Sequence, residues 1–292
     1  MLKIRSCSDL HLEFFYDTFD GDRMLAASKK LEEILPPLPT DAETVLIAAG
    51  DIATAKRSRR FDTFFQLAAP RFRHIIYVLG NHEHYGTHLD ESQMFIEDAA
   101  SRALGENYAD KLTIAGNEPV MVQIDGVIFI LGTLWTDYGW KVAAGDHYAL
   151  SQIHQAVARC ITDHKVILDE EGRGVTPTQM HQIFKATIEQ FGKWMTGIDN
   201  SRTVVVTHHL PSMQAVHPMY MLDPTTRILN HAFASDLDDF ILQHQPAMWF
   251  FGHTHTKFSG KIGETLLHCN PLGYPHERGR GETYDTTQVF EV

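Results

Sequence analysis

Apolar positions along the chain fall into short β-branched runs, separated by longer stretches with helical spacing. Residues 2–8 predict a first strand ending at SDLH, and Leu25, Leu31, Ile34 and Leu35 predict a helix from about Met24 to Leu35, stopped by PPLPTD. Thr44 to Ala49 predicts a second strand ending at Gly50-Asp51, and a helix over 56–69 is closed by Pro70. Ile75 to Leu79 predicts a third strand that stops at Gly80, before the dense polar run Asn81, His82, Glu83 and His84. A helix from about Leu89 to Leu104 follows.

The pattern then changes. Residues 119–124 and 127–131 flank Asp125-Gly126 and predict a β-hairpin. Residues 145–200 predict mainly helix, with QMHQIFKATIEQFGKWM the clearest amphipathic segment and Gly/Pro interruptions at 172–177. This region adds no strand, so a helical insertion or cap is expected at about 140–200. Strand periodicity returns at Arg202–Thr207, ending in His208-His209. A helix around Ser235–His244 leads to Ala247–Phe251, which ends in Gly252-His253-Thr254-His255. Short strands are expected near 257–262 and 264–269, then a Gly/Pro-rich loop, NPLGYPHERGRG, and a terminal strand near 286–292. With no repeat, low-complexity tract or linker, the whole of 1–292 is expected to form one domain.

Composition narrows the classes of function. A chain of 292 residues with 43% hydrophobic content can fill a sizeable core. The net charge of −12 argues against a nonspecific binder of nucleic acid or membrane surface, both of which are anionic. Bound metals can reverse that potential locally, so phosphate chemistry stays open. Cys7, Cys160 and Cys269 are odd in number and scattered, which predicts reduced thiols. Met1 is followed directly by strand-like sequence with no apolar leader, and no apolar run approaches the ~18 residues of a membrane span. A cytoplasmic protein without a membrane partner is expected.

Eighteen histidines is an unusual number for this length. Most must be structural, but five predicted strands end in metal-type donors: Asp9 and His11, Asp51, Asn81 and His82, His208 and His209, and His253 and His255. A DxH triplet or a Gly-Asp turn is commonplace alone; their joint occurrence, each at the end of an apolar run, is not. At one sheet edge these groups would converge. Two carboxylates, a carboxamide and several imidazoles without thiolate suit Mn²⁺, Fe or Zn²⁺. One carboxylate can bridge two cations ~3.5–4 Å apart, the spacing of two-metal hydrolases. Glycine before Asp51, Asn81 and His253 lets the backbone turn sharply towards such ions.

The order DxH, GD, GNHE, H, GHxH from Asp9 to His255 resembles the calcineurin-like metallophosphoesterase superfamily, and THHLPS, VHP, NHAFASDL and CNPLGYPHE resemble a bacterial branch of uncharacterised phosphohydrolases within it. The resemblance implies an α/β fold: a four-layer αββα sandwich of two mixed β-sheets flanked by helices, with the helical insertion before the fourth ligand strand. It implies that Asp9, His11 and His255 hold one metal, that Asp51 bridges, and that Asn81, His208 and His253 hold the second. His82 resembles the non-ligand histidine that stabilises the transition state or protonates the leaving oxygen, beside a metal-bridging hydroxide as nucleophile. Many members read GDxxD, the second Asp orienting that histidine; here GDIAT places Thr54 there, and Glu83 or a backbone carbonyl is left for the role.

Phosphomonoesterase, small-molecule phosphodiesterase and nuclease all fit this pattern. The acidic balance favours a small phosphorylated substrate over nucleic acid. A non-catalytic binding module on the same fold is the rival, though such modules tend to lose ligands that are present here. For substrate contacts, His209 beside a ligand, His217 before Pro218, Arg57 in the cationic run after Asp51, and Tyr274 and His276 in the late loop are the candidates.

Overall fold

The computed structural model describes residues 1–14, 21–57, 59–139, 148–277 and 284–292, with backbone alone at 21–27, 57, 224 and 225. In chain order the described strands are β1 (Lys3–Cys7), β2 (Thr44–Ala49), β3 (His74–Val78), β4 (Leu112–Ala115), β5 (Val120–Ile124), β6 (Val127–Leu131), β7 (Thr203–Val206), β8 (Met248–Phe251), β9 (Phe258–Ile262), β10 (Thr265–Cys269) and β11 (Phe290–Glu291). The α-helices are α1 (Gly21–Ile34), α2 (Arg59–Ala68), α3 (Ser92–Leu104), α4 (Leu150–Cys160), α5 (Asp163–Val166), α6 (Pro177–Met195), α7 (Pro218–Leu222), α8 (Pro224–Arg227) and α9 (Asp238–His244).

Two sheets form, with strand orders β11-β1-β2-β3-β4 and β5-β6-β7-β8-β10-β9. β1 to β4 run parallel, with β11 antiparallel at the edge. In the second sheet β6, β7, β8 and β10 are parallel, while β5 and β9 are antiparallel edges. The central strands are apolar throughout because both of their faces are covered. Val45, Ile47 and Ala49 of β2 point towards Phe129, Leu131, Val204, Val206 and Phe250 of the other sheet. Leu46, Ala48, Ile75 and Tyr77 point the opposite way, onto Phe61, Phe64 and Phe65 of α2 and Ile96 and Ala99 of α3. On the far side Ile130, Val205, Trp249 and Phe251 pack under Val157, Phe184, Phe191 and Ile241 of α4, α6 and α9. Helix, sheet, sheet and helix layers follow directly from this alternation, so the fold is the four-layer αββα sandwich.

Most predicted elements lie within a few residues of the observed ones. Asp125 and Gly126 both have positive φ, 48° and 81°, the backbone a two-residue hairpin requires. The Gly/Pro interruption proves to be a helix start: Thr176 caps α6, accepting from Gln179 N, while Gln179 Oε1 accepts from Thr176 N at 2.7 Å, with Pro177 in the first turn. The helical stretch packs on the outer face of the second sheet through Val157, Met180, Phe184 and Phe191. The part of the expected insertion at 140–147 lies outside the described residues. One strand was not anticipated. β4, only four residues long, has no alternation to read, and its pairing with β3 holds it in place. The expected strand at 286–292 narrows to β11, two residues that cover the open edge of β1. No helix among the described residues is long and apolar enough to cross a membrane.

One buried ion cluster ties the first sheet together. Arg5 of β1 donates to Asp41 Oδ1 at 2.6 Å and to the Thr286 carbonyl at 2.6 Å, while Arg71 donates to Asp41 Oδ2 at 2.8 Å. The Arg5 and Asp41 side chains are 2% and 6% exposed. Asp41→Ala is therefore expected to cost about 3–5 kcal/mol, because it strands a guanidinium without its counter-charge. Urea denaturation measures this, and a loss below about 1 kcal/mol would contradict the assignment.

Candidate active site

The donors sit on the tips of β1, β2 and β3 in one sheet and β7 and β8 in the other, where the two carboxyl edges meet. The sheets are joined at this point by His208 Nδ1, 2.9 Å from the Ala49 carbonyl. The tips turn abruptly. Asp9, His11, Asp51, His253 and His255 all have left-handed backbone, with φ of 53°, 47°, 55°, 69° and 49°. Gly80 must be glycine because the approach is close: a Cβ there would lie 2.2 Å from Asp51 Oδ1 and 2.7 Å from His208 Cε1.

Two clusters share Asp51. Asp9, His11, Asp51 and His255 form one, and Asp51, His208 and His253 form the other, each compact enough to hold a metal ion. In the first, His11 Nε2 lies 3.0 Å from His255 Nε2 and 3.9 Å from Asp51 Oδ2, and His255 Nε2 lies 3.4 Å from Asp9 Oδ1. In the second, His208 Nε2 lies 3.1 Å from Asn81 Oδ1, 3.2 Å from His253 Nδ1 and 3.4 Å from Asp51 Oδ1.

The chemistry of these donors fits cations. Three imidazoles have Nδ1 beside an acceptor: Glu13 Oε1 at 3.1 Å for His11, Ala49 O at 2.9 Å for His208 and Glu277 Oε2 at 2.7 Å for His255. Each is thereby oriented with Nε2 facing the cluster, the arrangement of metal-bound histidines. Burial holds His11 and His208 down at about 4, and His253 well below the usual range, so these rings are neutral lone-pair donors. His255 goes the other way: burial disfavours its charge, but Asp9 and Glu277 raise it to about 9. Burial, Glu83 and Asp9 push the Asp51 carboxyl well above its normal value. Lone pairs and carboxylates crowded in this way call for positive charge between them.

Asn81 is aimed from the helical segment. Asp163 of α5 accepts from Asn81 Nδ2 at 2.9 Å and from Tyr85 OH at 2.6 Å. A carboxylate offers only acceptors, so the amide nitrogen faces Asp163 and the Asn81 oxygen faces His208. Glu83, one of the groups left open for orienting His82, does something else. It is buried beneath the tips, accepting from the backbone N–H of Asp51 (2.9 Å), Ile52 (2.8 Å) and Gly80 (2.8 Å) and from Tyr77 OH (2.5 Å). Thr54 accepts from Arg60 at 3.3 Å.

The group beside His82 is Glu13. Its Oε1 lies 3.1 Å from His82 Nδ1 and also 3.1 Å from His11 Nδ1. Burial would raise the Glu13 carboxyl, but the two imidazoles hold it down at about 2. His82 stacks on Tyr85 with ring centroids 4.1 Å apart, and its Nε2 lies 3.0 Å from Tyr274 OH and 3.9 Å from Asp51 Oδ2. Glu13, Asp163 and Glu277 have no role assigned from the sequence. Glu277 occurs there only as the last residue of the run CNPLGYPHE, and Glu13 stands two residues beyond His11.

A cavity of about 390 Å³ opens over the centre, bordered by Asp51, Asn81, His82, His253, His255 and Tyr274. Tyr274 is thus the expected substrate contact that reaches it. His209 is 1% exposed, packed behind the centre between Trp135 and His253 with ring centroids at 4.9 and 4.4 Å. His217 caps α7, accepting from Met219 N at 3.2 Å, and His276 stacks on the outer side of Tyr274 at 5.6 Å. None of these three is on the described cavity wall. The Arg57 side chain lies outside the described residues.

Comparison with known proteins agrees with this fold. An uncharacterised protein of Acanthamoeba polyphaga mimivirus is 27% identical over 297 residues, covering 99% of this chain and 97% of that one. Phosphopantetheinyl hydrolase from Mycobacterium tuberculosis has a similar fold, with a TM-score of 0.64 at 18% identity over 97% of this chain and 93% of that one. The family model of the calcineurin-like phosphoesterases matches residues 2–257, a span that begins before β1 and closes just beyond His255. Every donor of both clusters falls inside it, and the chain belongs to the calcineurin-like phosphoesterase family.

Proposed function

We propose that the protein hydrolyses small organic phosphoesters at a centre of two divalent cations. The observation that carries this reading is the pair of clusters sharing Asp51, with His82 beside them on the wall of the same cavity. Asp9, His11, Asp51 and His255 would hold one cation, and Asp51, Asn81, His208 and His253 the other. The mixed oxygen and nitrogen donors, with no thiolate, suit Mn²⁺, Fe or Zn²⁺. When bound, such a pair supplies positive charge against the phosphoryl oxygens and acidifies water.

The remaining work falls to the chain. His82 lies on the cavity wall with Nε2 turned towards Asp51 and Tyr274, placed to donate to the departing oxygen of the ester. Glu13 holds its Nδ1 and keeps the ring in register, and the Tyr85 face limits its rotation. Asp163 presents the Asn81 oxygen to the centre. The net charge of −12 and the cavity volume favour a small substrate over a nucleic-acid strand.

The test is metal dependence. Chelated and dialysed protein is expected to release no p-nitrophenolate from p-nitrophenyl phosphate or bis-p-nitrophenyl phosphate, and Mn²⁺ is expected to restore release. Turnover that survives chelation would remove the two-cation reading. The ratio of the two substrates then assigns monoester or diester preference.

A further inference from the structure

Part of the cavity wall is unlike the part at the metal-type donors. Besides Asn81 and His82 it is made by Ile161, Leu210, Val216, Leu229, Ala232 and Phe233, and Phe233 stacks on His253 with ring centroids 4.8 Å apart. These come from two places, the turn between α4 and α5 and the segment that follows β7 up to α9. The two segments form one apolar chamber, continuous with the site that the phosphoester reading assigns to phosphorus. Its polar additions are mostly neutral, among them Thr226 and Asn230. The carboxylates that border the cavity are already engaged: Asp163 by Tyr85 and Asn81, Glu277 by His255, and Asp51 in the centre itself. Among the described residues on this wall there is no lysine or arginine. A second phosphate or a carboxylate on the substrate would meet no cation among the described residues of the wall, whereas an apolar group would leave water for a surface that matches it.

We propose that the substrate is a phosphoester whose organic arm is neutral and apolar next to the phosphorus, and that the chamber formed by Ile161, Val216, Leu229 and Phe233 selects it. This rests on the phosphoester reading and adds the class of the group esterified. The chamber acts by removing arm surface from water, so its contribution grows with arm length until the space is filled. Methyl, ethyl, propyl and butyl p-nitrophenyl phosphates share one leaving group and differ only in that arm.

With the Mn²⁺-loaded full chain, kcat/KM is expected to rise about three- to fourfold per methylene, about 30- to 60-fold from methyl to butyl. The Kd values of methyl to butyl phosphonate, read by calorimetry without turnover, are expected to fall along the same series. Leu229→Asn is expected to flatten the slope measured within that variant, and the volume-conserving Leu229→Met to keep it. Turnover of every ester with equal efficiency, and phosphonates binding equally, would overturn the arm proposal and leave the phosphoesterase intact. Release from neither these esters nor p-nitrophenyl phosphate with Mn²⁺, Zn²⁺ or Fe²⁺ would overturn the phosphoesterase reading and the arm proposal with it; release from p-nitrophenyl phosphate alone leaves the phosphonate series to decide the arm.

Discussion

His82→Gln is expected to lower kcat about 10²- to 10⁴-fold, the usual contribution of a positioned general acid. Both bound metal equivalents should remain. The argument is geometric. His82 is separate from the two clusters that share Asp51, its Nδ1 is held by Glu13 at 3.1 Å, and its Nε2 lies 3.9 Å from Asp51 Oδ2. Glutamine can keep a hydrogen bond to Glu13 but cannot carry a proton to a departing oxygen. The effect should shrink for p-nitrophenyl esters, whose leaving group needs little protonation, and grow for alkyl esters. Metal content by elemental analysis accompanies the rates. A variant within threefold of the parent on an alkyl ester removes His82 from the chemistry. A variant that loses one metal makes it a ligand instead.

Glu83→Ala is expected to cost about 4 kcal/mol of stability, or a fall in Tm of roughly 8 °C, and to disturb the centre as well. Three backbone N–H groups and the Tyr77 hydroxyl converge on this one buried carboxylate. Removing it leaves four donors with no acceptor, each worth about 1–3 kcal/mol before relaxation and water entry. Two of the N–H groups belong to Asp51 and Gly80, so the β2 and β3 tips should lose register and metal affinity should fall as well. Glu83→Gln should be milder, since one oxygen survives. Thermal and urea denaturation measure the cost. An alanine variant that melts with the parent would mean that water or a shifted backbone replaces all four bonds.

The ends of the strands were the readable part of this molecule. Asp9, Asp51, Asn81, His208, His253 and His255 each follow an apolar run, and buried parallel strands make such runs conspicuous. What could not be read is what turns those side chains. Glu13 meets His82 across 69 residues, Asp163 meets Asn81 across 82, and Glu277 meets His255 across 22. Such pairings are fixed by packing, and no local period records them. Adjacency also misled: Glu83 stands next to His82 in sequence, yet its side chain turns beneath the tips to the backbone of β2 and β3. The same limit explains His209, which shares a strand end with His208 but packs behind the centre, against Trp135. β4 escaped because four residues are too few to show an alternation.

The left-handed backbone at Asp9, His11, Asp51, His253 and His255 has a consequence for the engineering and evolution of this chain. Each of these positions holds a side chain in a conformation that glycine adopts without cost, and a left-handed turn costs other residues about 1–2 kcal/mol. A selection for heat resistance alone would weigh glycine at His11, His253 and His255, whereas Asp9 and Asp51 accept from the backbone N–H of His253 and His82 and would leave those donors unpaired. Stability and chemistry thus pull the three histidine codons in opposite directions.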